Sequence, residues 1–254
     1  MKISVVTVVF NGAATIAETL ASLAQQSHDD IEHIVIDGAS TDRTLQIIQD
    51  SDWTPDVVVS ESDQGLYDAM NKGIALCSGE VIGFLNADDM YEHGDVLKTV
   101  AGVFEDSTID GCYADLVYVD TKNIQSIKRY WTSQPFQSGL FERGWMPAHP
   151  TFFVRKSVYE KYGSFDLRYR FQSDYELTAR FMAVNEIPTR YIPEVWVRMR
   201  MGGTTNRSLS NIIRGNLESY RACKRLGLDM KPWYFITKFA MRIPQFFKRP
   251  DQVP

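Results

Sequence analysis

The sequence predicts an α/β protein built on a largely parallel sheet wrapped by helices. Three observations point there. Short β-branched runs alternate with helical segments through the first 110 residues. The first run, residues 3–9, is a continuous β-branched stretch, as in a strand covered on both faces. Polar residues recur at the carboxyl ends of these runs, where open sheets of this kind bind ligands.

Residues 3–9 form the first strand and 15–26 the first helix. A second strand covers 32–37. Ser40, Thr41 and Asp42 then offer caps to a helix running through Asp50. A third strand spans 56–60 and a helix 66–77. The fourth strand, 81–85, runs into Asn86-Ala87-Asp88-Asp89, and a helix covers 96–104. Past Gly111 the pattern changes. Residues 112–119 and 124–131 read as an antiparallel pair around a turn at 120–123. The Gly/Pro-rich stretch 134–150 reads as a partly mobile loop. A short strand at 149–154, a helix at 173–184, a strand at 190–197 and a long helix at 209–226 follow.

With 254 residues, 44% hydrophobic and 23% charged, the chain fits one domain with an extension, or two small domains. That composition excludes disordered and fibrous classes. A net charge of −5 argues against a nucleic-acid partner. Cys77, Cys112 and Cys223 lie far apart, without zinc or disulfide spacing, as free thiols in a reducing compartment would. The apolar run near Met1 is too short for a signal peptide and lacks a cleavage site. No stretch reaches the roughly 18 apolar residues of a membrane span. A soluble, cytoplasmic protein is expected.

Four constellations carry chemistry. Asp88 and Asp89 sit together at a strand end, where they repel each other. A hard divalent cation bridging to a diphosphate would offset that; an Asp-rich capping turn is the alternative. Asp37 ends the second strand, placed to accept a base N–H or a ribose hydroxyl, or to cap a loop; Asp42 reads as a structural first-turn acid. The stretch 61–73 holds Gly65, which permits close backbone approach, with Tyr67, Asn71 and Lys72 in reach of a nucleotide. Its alternative is a loop capping a surface helix. Last, Ser173 is a candidate N-cap that leaves Asp174 in a helix's first turn, where the dipole favours the ionised form a general base needs.

These residues together resemble family 2 glycosyltransferases of the GT-A fold. The resemblance rests on Val8-Val9-Phe10-Asn11, Asp37-Gly38-Ala39-Ser40-Thr41-Asp42, Asp63-Gln64-Gly65 with Tyr67-Asp68-Ala69-Met70-Asn71-Lys72-Gly73, Asn86-Ala87-Asp88-Asp89 and Ser173-Asp174-Tyr175-Glu176. It covers residues 1 to about 205. Within the family the chain is most similar to bacterial enzymes of surface-polysaccharide assembly such as the colanic-acid glycosyltransferases, through His149-Pro150-Thr151-Phe152-Phe153 and Met201-Gly202-Gly203-Thr204-Thr205.

The resemblance implies a Rossmann-like mixed central sheet flanked by helices. It implies a nucleotide-binding half over 1–110, an acceptor-side half over 111–205 and a helical extension over 206–254. Asp37 would contact the nucleobase, with Thr7, Val9 and Asn11 lining the same pocket. Gly65, Tyr67 and Asn71 would lie near the ribose and phosphates, and Asn86 beside the donor. Asp88, the last acid of the family's DxD motif, would hold Mn²⁺ or Mg²⁺ with help from Asp89. Asp174 matches the catalytic base; His149 and Arg198 are candidates for acceptor or phosphate contact. The implied reaction inverts the anomeric carbon of a nucleotide sugar, UDP by default, onto a hydroxyl of a glycan or lipid-linked saccharide. Two positions depart from the pattern: Asn86 replaces the first acid of DxD, and Ser173 stands where an acid is common.

Residues 221–254 carry eight basic residues against two acids, interleaved with aromatics. This pattern suits a helix lying on an anionic membrane surface; packing on the domain or a dimer contact is the alternative. A nucleotidyltransferase would want a Gly- and Arg-rich loop after the first strand, which Asn11-Gly12-Ala13-Ala14 does not supply. An inactive binding module would tolerate loss of Asp88 or Asp174, and both are present.

Overall fold

A computed structural model describes residues 1–202 and 209–250. Gly203, Thr204 and Thr205, and the boundary expected after residue 205, lie outside the described residues. Along the first half run β1 (Ile3–Val9), α1 (Ile16–Ala24), β2 (Ile31–Asp37), α2 (Thr44–Gln49), β3 (Val57–Ser60), α3 (Leu66–Leu76), β4 (Val81–Phe84), β5 (Asp89–Tyr91) and α4 (Val96–Phe104). Then come β6 (Gly111–Val119), β7 (Ile127–Trp131), β8 (Phe153–Arg155), α5 (Lys156–Tyr162), α6 (Ser173–Ala179), β9 (Thr189–Arg200), α7 (Leu209–Arg225) and α8 (Tyr234–Arg242).

Strands β3, β2, β1 and β4 are parallel neighbours, as the alternation predicts. Every residue of β1 is buried, which is why its sequence is dominated by Val and Ile, with Ser4 and Thr7 the two polar positions. Beyond β4 the sheet turns mixed. β8 is antiparallel to both β4 and β6, β9 runs parallel to β6, and β5 closes that edge antiparallel to β9. β7 pairs antiparallel with β6, the predicted hairpin.

Several expectations need correction. Residues 149–151 form a 3₁₀ turn rather than strand, because Pro150 has no N–H for a ladder. The helix expected over 173–184 ends its regular part at Ala179 and continues as a π turn over Arg180–Val184. Ser173 is not the N-cap; Gln172 holds that position, and the Ser173 hydroxyl donates to the Asp166 carbonyl at 2.9 Å. Asp42 precedes α2 instead of lying in its first turn, and accepts from the Thr44 N–H at 3.0 Å. The 134–150 stretch is anchored, not loose. Leu140, Phe141, Trp145, Met146 and Ala148 are buried, and the Phe141 ring meets Phe136, Trp145 and Tyr175 edge-on or tilted.

The C-terminal helices join the same core: Cys223 and Tyr234 cluster with Phe141 and Tyr175. Tyr234 Oη and Lys238 Nζ both donate to Ser219 Oγ on α7 at 2.8 Å. The outward residues of this segment include large apolar ones, with Ile236 73%, Phe239 69% and Phe247 81% exposed, alongside Lys231, Lys248 and Arg249. Among the described residues no helix is long and apolar enough to cross a membrane. All three cysteines are buried and free.

Thr7 belongs to this core and not to a pocket. It is fully buried, and His33 Nε2 lies 2.9 Å from its hydroxyl. Trp53 Nε1, a donor with no acceptor capacity, donates to His33 Nδ1 at 3.0 Å. Nε2 therefore carries the proton and donates to Thr7. Burial depresses the His33 pKa to about 3. The sign follows: below about pH 6.5 the unfolded chain takes up a proton that the folded chain refuses until about pH 3. The contribution of neutral His33 is thus fully present above pH 6.5 and is lost as pH falls through that window. Urea unfolding should show a loss of roughly 2 kcal/mol between pH 6.5 and pH 5 from this group. The loss should shrink in His33→Gln; equal pH dependence in the two proteins would refute the assignment.

Candidate active site

The carboxyl ends of β1, β2 and β4 lie side by side, and the loops leaving them are cross-tied. Asn11 adopts φ 51° and accepts from the Thr41 N–H through Oδ1 at 2.9 Å. Its own N–H donates to Ser40 Oγ at 2.7 Å, and the Gly12 N–H donates to Thr44 Oγ1 at 2.9 Å. Asn11 therefore ties the loop after β1 to the loop after β2 through its backbone N–H and Oδ1. Val9 is buried and its carbonyl accepts from Gly38 N–H at 2.8 Å.

Asp37 is fully buried at the end of β2. Its Oδ2 accepts from the Ser40 N–H at 2.9 Å and from Ser60 Oγ at 2.6 Å. Its Oδ1 is buried and has no partner among the described residues. A buried carboxylate oxygen left unpaired is costly, so this atom suits an incoming N–H or O–H. Gly38 lets Asp63 close over it: a Cβ there would stand 2.5 Å from an Asp63 carboxylate oxygen. Phe10 rises beside Gly38 with 64% of its surface exposed. Sequence reasoning did not single out Phe10 as a ligand residue; an aromatic ending a buried strand just before Asn11 was the available signal. Gly65 opens α3 at φ 121°, a conformation that favours glycine, with open space at its Cα.

The second group sits after β4. Asp89 is fully buried; Asn86 Nδ2 donates to its Oδ2 at 3.2 Å. Burial, reinforced by the adjacent Asp88 charge, pushes the Asp89 carboxyl well above the usual carboxylate range. Asn86 Oδ1 and Asp89 Oδ1 are both buried without partners among the described residues. With the Asp88 carboxylate they are hard oxygen donors at one turn. Arg200 Nη1 donates to the Asp88 carbonyl at 2.9 Å, and its guanidinium also pairs with Glu18. Asp88, Glu18 and Arg200 line a cavity of about 390 Å³ with Thr15 and Lys122. Arg198 does not face this cavity. It is locked to Glu92 at 2.5 Å and to the Ile124 carbonyl at 2.9 Å. Arg200, two residues further along β9, is the arginine that lines this cavity.

The third group surrounds Asp174. Tyr67 Oη donates to Asp174 Oδ1 at 2.9 Å, and the Tyr175 N–H donates to the same oxygen at 2.8 Å. Tyr67 therefore serves the acid and not a nucleotide, and burial with that charge holds its phenol well above its ordinary pKa. Asn71 is also diverted. Its Oδ1 accepts from Phe165 N–H and its Nδ2 donates to Phe165 carbonyl, both at 2.9 Å. This clamp fixes the segment leading into α6. Arg180 fixes its other side, pairing with Glu176 at 3.0 Å while donating to the Ser164 carbonyl at 2.7 Å. His149 is buried between Phe84 and Phe165, with ring centroids 5.3 and 5.5 Å away. Burial lowers its pKa, and the Asp174 charge partly opposes that. Phe84 ends β4, so these rings connect the acid to the Asp88 turn.

A family model described as "Glycosyl transferase family 2" matches residues 4–163. The chain belongs to glycosyl transferase family 2. A glycosyltransferase of PGL/p-HBAD biosynthesis from Mycobacterium bovis is 31% identical over 209 residues, covering 80% of this chain and 78% of that protein. A structure of a Staphylococcus aureus TarS fragment with UDP-GlcNAc superposes with TM-score 0.69 at 17% identity, over all of this chain and 77% of that one. The mannosyltransferase PcManGT from Pyrobaculum calidifontis, with GDP-Man and Mn²⁺, gives TM-score 0.66 at 18% identity, over 94% of this chain and 73% of that one. This chain spans 44% of a longer TarS chain.

The protein is thus a glycosyltransferase with a GT-A fold. In this family 2 enzyme the sheet brings one unpaired carboxylate oxygen, one turn of oxygen donors and one tethered acid to neighbouring loops.

Proposed function

We propose that this glycosyltransferase moves a sugar from a UDP-sugar onto a hydroxyl of a glycan or lipid-linked saccharide, with inversion, in bacterial surface-polysaccharide synthesis. The observation that carries the reading is the buried, unpartnered Oδ1 of Asp37 at the end of β2. A uracil N–H would satisfy it, while the exposed Phe10 ring offers a stacking face. The relatives crystallised with UDP-GlcNAc and with GDP-Man support a nucleotide sugar as donor.

Asp88, Asp89 and Asn86 Oδ1 fit a divalent cation, Mn²⁺ or Mg²⁺. All three offer hard oxygen donors, and two of their buried oxygens lack partners. No group of three or more His, Cys, Asp or Glu comes together among the described residues, so phosphate oxygens and water would complete the shell. When bound, the cation would neutralise charge on the departing diphosphate. Arg200 adds a positive charge at the same turn. Asp174 takes the proton of the acceptor hydroxyl through Oδ2, its Oδ1 being held by Tyr67 and Tyr175. A single displacement from the face opposite the diphosphate inverts configuration. Phe152 and Phe153, buried beneath the acceptor side, help to exclude water. The exposed Ile236, Phe239 and Phe247 beside basic residues rest on an anionic membrane surface.

The test of the donor reading is Asp37→Asn. The Ser40 N–H and Ser60 hydroxyl keep the amide oxygen on their side, so the NH₂ replaces Oδ1 and meets the base donor-to-donor. UDP affinity by calorimetry should fall roughly tenfold to a hundredfold, the worth of one hydrogen bond to a charged group. An unchanged Kd would remove Asp37 from the nucleotide site.

A further inference from the structure

A second cavity, of about 210 Å³, lies between β7, the 132–146 segment and α8. No donor-site residue lines it. Four cationic side chains do, Arg129, Lys238, Arg242 and Lys248, and no acid does. Among the described residues these cations have no carboxylate ion-pair partner. Arg129 donates to the neutral Gln245 amide oxygen at 2.8 Å, and Lys238 Nζ donates to Ser219 Oγ at 2.8 Å while stacking 4.7 Å over Tyr175. Asp115, which feels the Lys248 charge, stands outside the lining and already accepts from the Ser133 N–H and the Tyr130 and Tyr191 hydroxyls. Burial, with Arg242 beside it, pulls Lys238 down to about 7.

The second, independent observation is that the lining carries idle donors. Thr132 Oγ1, Ser133 Oγ and Trp145 Nε1 are buried and have no partner among the described residues. Unpaired donors and unpaired cations around one cavity share a remedy, an anion with several acceptor oxygens. Tyr175, the residue after Asp174, forms one wall, so the cavity adjoins the helix turn that carries the proposed base.

We propose that this cavity binds a phosphoryl group, supplied by a phosphorylated acceptor or by a lipid headgroup; the acceptor-side assignment rests on Asp174 being the base. The full chain, saturated with UDP and Mg²⁺, is titrated calorimetrically with hexyl phosphate, with hexanol, and with phosphatidylglycerol or phosphatidylcholine vesicles. Binding of hexyl phosphate but not hexanol, in the presence of UDP, is expected. Arg242→Gln with Lys248→Gln should weaken it at least tenfold, and Trp145→Phe, which keeps the ring bulk, should weaken it severalfold. UDP affinity should be unchanged in both. Binding to phosphatidylglycerol vesicles alone, weakened in Trp145→Phe as well as in the double variant, would support the site and assign the headgroup as source, whereas vesicle binding untouched by Trp145→Phe would overturn it. Equal binding by the double variant, displacement of hexyl phosphate by UDP, or no binding of any phosphoryl probe would overturn the proposal. If the protein fails to bind UDP, the donor reading falls while the hexyl phosphate result still stands.

Discussion

Asp174→Asn should lower kcat by about a hundredfold to ten-thousandfold, the usual worth of a positioned proton acceptor, and leave UDP affinity unchanged. The geometry makes this a clean substitution. Both hydrogen bonds to the side chain fall on Oδ1, from Tyr67 Oη and from the Tyr175 N–H. An asparagine keeps its carbonyl oxygen on those two donors and presents an NH₂ where Oδ2 stood. The fold and the donor end are untouched, while the group facing the acceptor hydroxyl loses its capacity to accept a proton. Tyr67→Phe removes one tether and keeps the acid, so its loss should be smaller, about tenfold, and confined to kcat. Steady-state transfer kinetics beside UDP calorimetry make the comparison. Full kcat in Asp174→Asn would move the base elsewhere.

Asp88→Asn should raise the Mn²⁺ concentration needed for half-maximal activity and lower kcat/KM by roughly a hundredfold or more, as for loss of a charge that stabilises a departing anion. The reason lies in how little charge this turn holds. Asn86 is neutral, and burial together with Asp88 pushes the Asp89 carboxyl up toward its neutral form. Asp88 is thus the acid of this turn that is not fully buried, and its loss leaves a cation the buried Asp89 alone. Asn86→Asp adds a charge and should shift the Mn²⁺ midpoint down. A metal titration of the three proteins checks both directions. An Asp88→Asn enzyme with an unaltered metal midpoint would contradict the assignment.

The parallel half of the sheet was legible because its residues answer to local rules. β1 is β-branched at six of its seven buried positions, and α4 shows a helical stripe between clear breaks. The mixed half was less so. β5 is three residues long and shares its first residue with the acid pair, and β8 joins β4 to β6 through a pairing that local sequence does not encode. The site divides the same way. Asp37 and Asp88 stood out because acids at the ends of buried strands have no packing role. Thr7, Tyr67 and Asn71 looked similar from the sequence, yet their polar atoms are spent on His33, Asp174 and Phe165. Arg198 and Arg200 share a strand and a face; Glu92 captures one and leaves the other to Asp88. Where a side chain's hydrogen bonds end is a tertiary fact.

The most direct test of inverting, metal-dependent transfer is the anomeric configuration of the product. The enzyme is incubated with a panel of α-linked UDP-sugars, Mn²⁺ and a saccharide acceptor, and the new anomeric proton is read by NMR. A β-linked product that disappears on chelation and in Asp174→Asn is predicted. An α-linked product, or equal turnover in the presence of chelator, would contradict the account.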